Sequence, residues 1–251
     1  MNLHLLYQPP PDSLRGRAIA ITGAGDGIGR ALALAAAEHG AEVILIGRTV
    51  SKLEAVHGQI AALGKSEASI APLDLERALA RDYDALADAL QSRYGRLDGL
   101  VHSAAMLGAL APIEQYDVPT WCRVLHVNLT AAFALTQVLL PALRTAPDAS
   151  IVFTSSGVGR RARAYWGAYA VSKHGIEALS ATLADELGGT SHVRVNTINP
   201  GPVRTRMRAQ AFPAEDPSTL AAPSDVLRPY LWLLSAASRG VNGQCLDCQP
   251  R

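Results

Sequence analysis

The stretch Ala18-Ile19-Ala20-Ile21-Thr22-Gly23-Ala24-Gly25-Asp26-Gly27-Ile28-Gly29-Arg30 decides the fold of this 251-residue chain. Its apolar start is short and unbroken, as in a strand buried on both faces, and the alanine-rich residues that follow continue as a helix to about His39. Between them stands a glycine turn. Glycines at 23, 27 and 29 let a backbone turn tightly, approach a pyrophosphate and seat a helix against a sheet, with the phosphate at the helix N-terminus. A glycine-rich string alone is weak evidence, but the flanking strand and helix that the mechanism demands are both present here.

Upstream of this unit, residues 1–16 read as an arm over the surface, because Pro9-Pro10-Pro11 favour extended geometry and exclude regular structure. Downstream, apolar runs at 42–47, 68–73, 97–103, 150–154, 193–198 and 243–248 predict further strands. Helical patterns separate them, over about 51–63, up to about Tyr94, and over 118–143, 165–187 and 224–237. This alternation predicts an α/β protein: a single-domain Rossmann fold over 17–251, with a doubly wound, mostly parallel seven-stranded sheet and its site at the carboxyl ends of the strands. The segment near 202–223 is the least patterned and reads as a substrate lid.

Tyr169-Ala-Val-Ser-Lys173 carries the chemistry. If the helix begins near Tyr165, residues four apart share a face, so the phenol of Tyr169 and the ammonium of Lys173 point the same way. A nearby positive charge favours phenolate, and bringing a phenol from about 10 to about 7 takes roughly 4 kcal/mol of differential stabilisation. One ammonium supplies part of this, and a cationic cofactor ring the rest. Ser156, thirteen residues earlier at the end of a predicted strand, could hold a substrate oxygen while the tyrosine exchanges its proton. Tyr165 lacks such a partner, since Tyr169 rather than a lysine stands four residues after it. The pair alone is a weak signal, and an aromatic packed on the core beside a solvated lysine would read the same way.

Taken together, Thr22-Gly23-x-x-x-Gly27-Ile28-Gly29 and Tyr169-x-x-x-Lys173 resemble the short-chain dehydrogenase/reductase family over roughly residues 17–249. The resemblance implies an NAD- or NADP-dependent enzyme. It places the substrate-orienting role on Ser156, the acid/base role on Tyr169, and the tuning of that tyrosine and the hold on the nicotinamide ribose on Lys173. It also assigns Asn128, inside the apolar stripe of the long helix, to a bend that positions a water near the lysine. The nucleotide would lie along Gly23, Gly25, Asp26, Gly27, Ile28 and Gly29, with Asp74 and Leu75 bordering the adenine and Ala104 where the cofactor passes. Pro200, Gly201, Val203 and Thr205 match the loop that contacts the nicotinamide amide and starts the lid. His102-Ser103-Ala104-Ala105 departs from the family's Asn-Asn-Ala-Gly, losing two side-chain amides, and His102 reads as structural. A finer resemblance, to bacterial YciK-type oxidoreductases, rests on the segment ending Arg163-Ala-Tyr-Trp-Gly-Ala-Tyr169 and on Met207 to Pro217.

The second strand ends in Gly47 and Arg48 rather than in an acid that would bind a ribose 2′-hydroxyl, which favours NADP, with NAD as the alternative. Asp26 argues the other way, standing where many NADP-binding relatives carry a base. Arg160, Arg161 and Arg163, with Arg204, Arg206 and Arg208, flank one predicted pocket. They suggest an anionic substrate, against the plainer reading of a solvated face. The expected substrate is a small carbonyl or alcohol. A dinucleotide-responsive binding protein with little turnover is the rival reading, and the resemblance implies a homodimer or homotetramer.

Composition narrows the partners. Twenty-three basic against 22 acidic residues leave a net charge of +1, which offers nucleic acid or an anionic membrane no global attraction. Cys122, Cys245 and Cys248 cannot all pair, and Cys245 and Cys248 fall on a predicted strand, so neither a disulfide framework nor a metal site is expected. With no secretory pattern and no long uncharged span anticipated, the expected compartment is the cytoplasm.

Overall fold

The computed structural model describes residues 3–250. Seven strands, β1 (Ala18–Thr22), β2 (Glu42–Gly47), β3 (Ala68–Pro72), β4 (Gly99–His102), β5 (Ala149–Thr154), β6 (Val193–Asn199) and β7 (Cys245–Asp247), form one sheet in the order β3-β2-β1-β4-β5-β6-β7. Every neighbouring pair is parallel, so the doubly wound sheet is parallel throughout. The order reverses between β1 and β4, and the crevice at that switch point is where a ligand fits in such sheets.

Helices cover both faces, which is why β1 and β5 read as unbroken apolar runs. Helices α2 (Gly27–Glu38), α3 (Val50–Leu63) and α9 (Arg228–Leu234) bury Leu32, Val56 and Leu231 against Ile19, Val43 and Leu45. On the other face α4 (Ala80–Tyr94), α6 (Ala131–Arg144) and α7 (Gly167–Leu187) bury Tyr83, Leu135 and Leu183 against Ala20, Leu100 and Ile151. Residues 124–143 carry no charged side chain, a longer uncharged stretch than anticipated, and Leu135, Leu139 and Leu143 within it are buried in the protein's own core.

Several expectations need correction. Before the three prolines, α1 (Leu3–Leu6) makes one helical turn, and His4 is buried there, with Nε2 3.0 Å from the carbonyl of Asp247 and its ring beside Trp232. The arm is thus fastened across α9 and the β7 edge. The helix expected from Tyr165 starts two residues later, because Tyr165 adopts φ 72° and interrupts it. The segment 202–223, expected to be a lid, contains α8 (Arg206–Ala211), which Thr205 caps by accepting from the Arg208 amide at 3.2 Å. The helix expected over 224–237 is shorter, with 3₁₀ turns on either side of α9.

Candidate active site

The sheet leaves a cleft of about 630 Å³ along the carboxyl ends of its strands. One end is shaped by backbone. Gly23 has φ 68°, and a Cβ there would sit 3.0 Å from Ala104 Cα; at Gly29 it would sit 2.4 Å from the Gly23 carbonyl. Only glycine lets α2 begin this close to β1, and Gly27, Ile28 and Gly29 of its first turn line the cleft. Thr22 completes the floor by accepting from the amides of Ser103 at 3.0 Å and Ala104 at 3.1 Å. That link joins β1 to the loop after β4 without the two amide side chains that His102 and Ser103 replace.

Asp26, Arg48, Asp74, Leu75 and Glu76 line the same end of the cleft. Asp26 caps α2 through the Gly27 amide at 2.8 Å and is paired with Lys52, whose hydrogen bond is the main cause holding its carboxyl below the usual range. The acid that argued against NADP therefore stands beside a base from α3. Lys52 escaped sequence reasoning, although a lysine in a first helical turn that has no acidic residue is itself a signal, since it opposes the helix dipole. Arg48 lies at the mouth, 64% exposed and 3.6 Å from Glu76.

At the other end the cleft meets Ser156, Tyr169 and Lys173, with Pro200, Gly201, Val203 and Thr205 along its edge. Ser156 follows β5, and Tyr169 and Lys173 lie on the first turns of α7. Lys173 donates from Nζ to the Thr154 carbonyl at 2.7 Å and lies 5.6 Å from the centroid of the Tyr169 ring. The ammonium was expected to pull the phenol down. Instead burial pushes Tyr169 up to about 12, and a hydrogen bond with Ser156 works against that rise. Burial also brings Lys173 down to about 8. The lysine sits over the ring and donates to Thr154, and in the free protein desolvation dominates the proton affinity of the phenol.

Asn128 does not line the main cleft. It sits in a π-helical turn, His126–Thr130, between α5 (Val118–Leu125) and α6, a wider turn of the kind that recurs at functional sites. Its side chain accepts from the Met106 amide at 2.7 Å and donates to the Met106 carbonyl at 2.9 Å and to Ser172 at 3.0 Å. A small adjoining cavity of about 10 Å³ is shared by Asn128, His102, Thr154 and Lys173, on the order of one water molecule in size. His102 is buried, stacked on Phe153 at 4.7 Å and 2.8 Å from the Thr136 hydroxyl, and burial lowers it to about 3. That placement is structural.

The arginines divide. Arg160 is committed to Glu177 and Asp247, and Arg208 is paired in a fork with Glu215, so neither is set aside for an anionic ligand. Arg206 lines the cleft. The two segments behind the finer resemblance meet at the lid. Trp166 lies 5.8 Å from both Tyr169 and Phe212, and Arg208 stacks 3.8 Å over Phe212. Among the described residues no group of acidic, histidine or cysteine side chains could hold a metal ion.

A glycine cradle at the switch point, with a buried Tyr169 and Lys173 pair and Ser156 at the far end of one cleft, agrees with the comparison of the whole chain. The short chain dehydrogenase profile matches residues 17–216, and the protein belongs to the short-chain dehydrogenase/reductase family of NAD(P)-dependent oxidoreductases. Within it, the chain is 45% identical over 244 residues to the protein named Uncharacterized oxidoreductase YciK of Escherichia coli K12, covering 97% of this chain and 96% of that one. A short chain dehydrogenase from Pseudomonas syringae superimposes with a TM-score of 0.96 at 50% identity, covering 97% and 98% of the two chains. Another from Shigella flexneri, in complex with NADP, does so at 0.92 and 44% identity over 96% and 100%.

Proposed function

We propose that this protein is an NADP-dependent reductase of a small carbonyl compound, and that it also works in reverse on the secondary alcohol. The observation that carries the reading is a single cleft with a glycine cradle and two basic side chains at one end and the Ser156, Tyr169 and Lys173 groups at the other. The residues fit a dinucleotide, because the close approach at Gly23 and Gly29 leaves no side chain between the cleft and the N-terminus of α2, where a phosphate is favoured. Arg48 and Lys52 are the candidates for a 2′-phosphate, and the solved relative that binds NADP supports this choice. The bound dinucleotide would supply or accept the hydride.

The chain's own groups would do the rest. Ser156 donates a hydrogen bond to the substrate oxygen and orients it. Tyr169, held neutral by burial, keeps its proton at neutral pH and gives it to the oxygen as negative charge develops there. Lys173 lies against Tyr169 with a positive charge that steadies the phenolate left behind. Asn128 anchors the bend that presents Ser172, whose hydroxyl donates to the Tyr169 carbonyl at 2.8 Å. Arg206 is the cleft arginine assigned to an anionic group on the substrate, if the substrate carries one.

The experiment is NADPH oxidation against a carbonyl panel, preceded by fluorescence titration with NADPH and NADH. Tyr169→Phe should lose about 10²- to 10⁴-fold in kcat/KM while binding NADPH as tightly as before. Unchanged turnover in that variant would refute the acid/base role. Tight NADPH binding with no turnover over the whole panel would favour a dinucleotide-responsive binding protein.

A further inference from the structure

Glu177 stands one helical turn beyond Lys173 on α7 and belongs to none of the motifs that marked the site. Its carboxylate collects donors from three separate elements. The Thr197 hydroxyl of β6 donates at 2.6 Å, the Cys245 thiol of β7 at 3.0 Å, and Arg160 Nε, in the turn after Ser156, at 3.1 Å. The same guanidinium donates to Asp247 Oδ1 at 2.7 Å and to the Leu246 carbonyl at 3.0 Å, so it bridges α7 and the edge strand β7. Burial opposes the charge of Glu177, yet hydrogen bonds from Cys245 and Thr197 and the charge of Arg160 hold its carboxyl below the usual range. The result is a fixed, ionised and half-buried carboxylate.

Residues four apart on a helix share a face, so this charge lies beside Lys173. Among the described residues, the groups that face Lys173 from elsewhere carry no compensating negative charge. Tyr169 is neutral on α7, His102 is neutral on β4, and β5 offers the Thr154 carbonyl. Burial works against the ammonium, and Glu177 is the group whose charge favours it.

We propose that Glu177 is a positioning residue whose carboxylate, held by Thr197 and Cys245, keeps Lys173 charged, and which through its pairing with Arg160 ties the turn after Ser156 to the sheet edge. The use made of Lys173 rests on the function proposed above; the charge relation is a property of the free protein. It explains why Arg160 turns inward, away from any ligand, and why that arginine follows the serine so closely.

The chain has three lysines, Lys52, Lys65 and Lys173, so titration of carbon-labelled lysine by NMR resolves each, and loss of one resonance in Lys173→Arg identifies the third. In Glu177→Gln the Lys173 titration should fall by about one pH unit, a tenfold loss of ammonium relative to amine at a given pH, and Glu177→Asp should restore most of it. Arg160→Met should move it upward, because the carboxylate then acts on Lys173 without its cation. An unchanged midpoint in Glu177→Gln overturns the proposal. Should that variant not fold, Arg160→Met decides: an upward shift supports the proposal, and no shift or a downward one overturns it. In turnover, Glu177→Gln should lower kcat more than it alters KM for NADPH, and should move the alkaline limb of the pH profile down with the lysine. Full turnover in Tyr169→Phe would refute the reaction while leaving the lysine titration intact, so the two failures are distinguishable.

Discussion

At the proposed nucleotide end of the cleft the backbone does the shaping, through Gly23 and Gly29, while at the proposed catalytic end the work falls to side chains delivered by β5, the π-turn and α7. The first end is local in sequence: a strand, a turn and a helix within 18–38 produce it. The second needs residues 128, 156, 169, 173 and 177 to meet, and its electrostatics depend on what buries them. A backbone cradle fails when a side chain intrudes, whereas a buried polar cluster fails when a charge loses its partner.

The sharpest way to break this contrast is Gly29→Ala. With its Cβ 2.4 Å from the Gly23 carbonyl, backbone must move. The variant should lose at least about 3 kcal/mol of stability together with measurable NADPH binding, read by thermal melting and fluorescence titration. Near-normal binding would show that the cradle is softer than described.

The catalytic end is sharpened by acid titration. The folded value of His102 is about 3, below the ordinary 6.5, because the ring is buried. The unfolded chain therefore takes up a proton that the folded one refuses, so this contribution is complete above about pH 6.5 and is lost as pH falls toward 3. Between pH 7 and about pH 4.5 the wild type should lose about 2.5 kcal/mol through this residue, and His102→Asn should flatten that part of the curve by circular dichroism. Identical slopes would mean that the ring is more accessible than its stacking on Phe153 implies.

The smallest effect falls at the cofactor's outer edge. Arg48→Ala and Lys52→Ala, both partly exposed, should each weaken NADPH binding by about tenfold and leave NADH binding nearly unchanged. Equal losses for both dinucleotides would remove these two residues from 2′-phosphate recognition.

Legibility followed the same division. The seven strands, the glycine turn and the Tyr169 to Lys173 spacing could be read because hydrophobic period, turn residues and helical offset are local properties of a chain. Lys52 was missed because its partner Asp26 lies 26 positions away, and Glu177 because its donors come from residues 160, 197 and 245. The lid helix and the left-handed Tyr165 were missed because neither follows from propensity, and packing overrides propensity.

By itself, then, the sequence determined the element order, the parallel winding, the nucleotide cradle and the identity of the catalytic candidates. The tertiary structure decided their charge states. It put Tyr169 and Lys173 out of water, turned Arg160 inward onto Glu177 and gave Asp26 a base. Proton affinity depends on desolvation and on charges a few ångströms away, and those neighbours are set by the fold rather than by spacing along the chain.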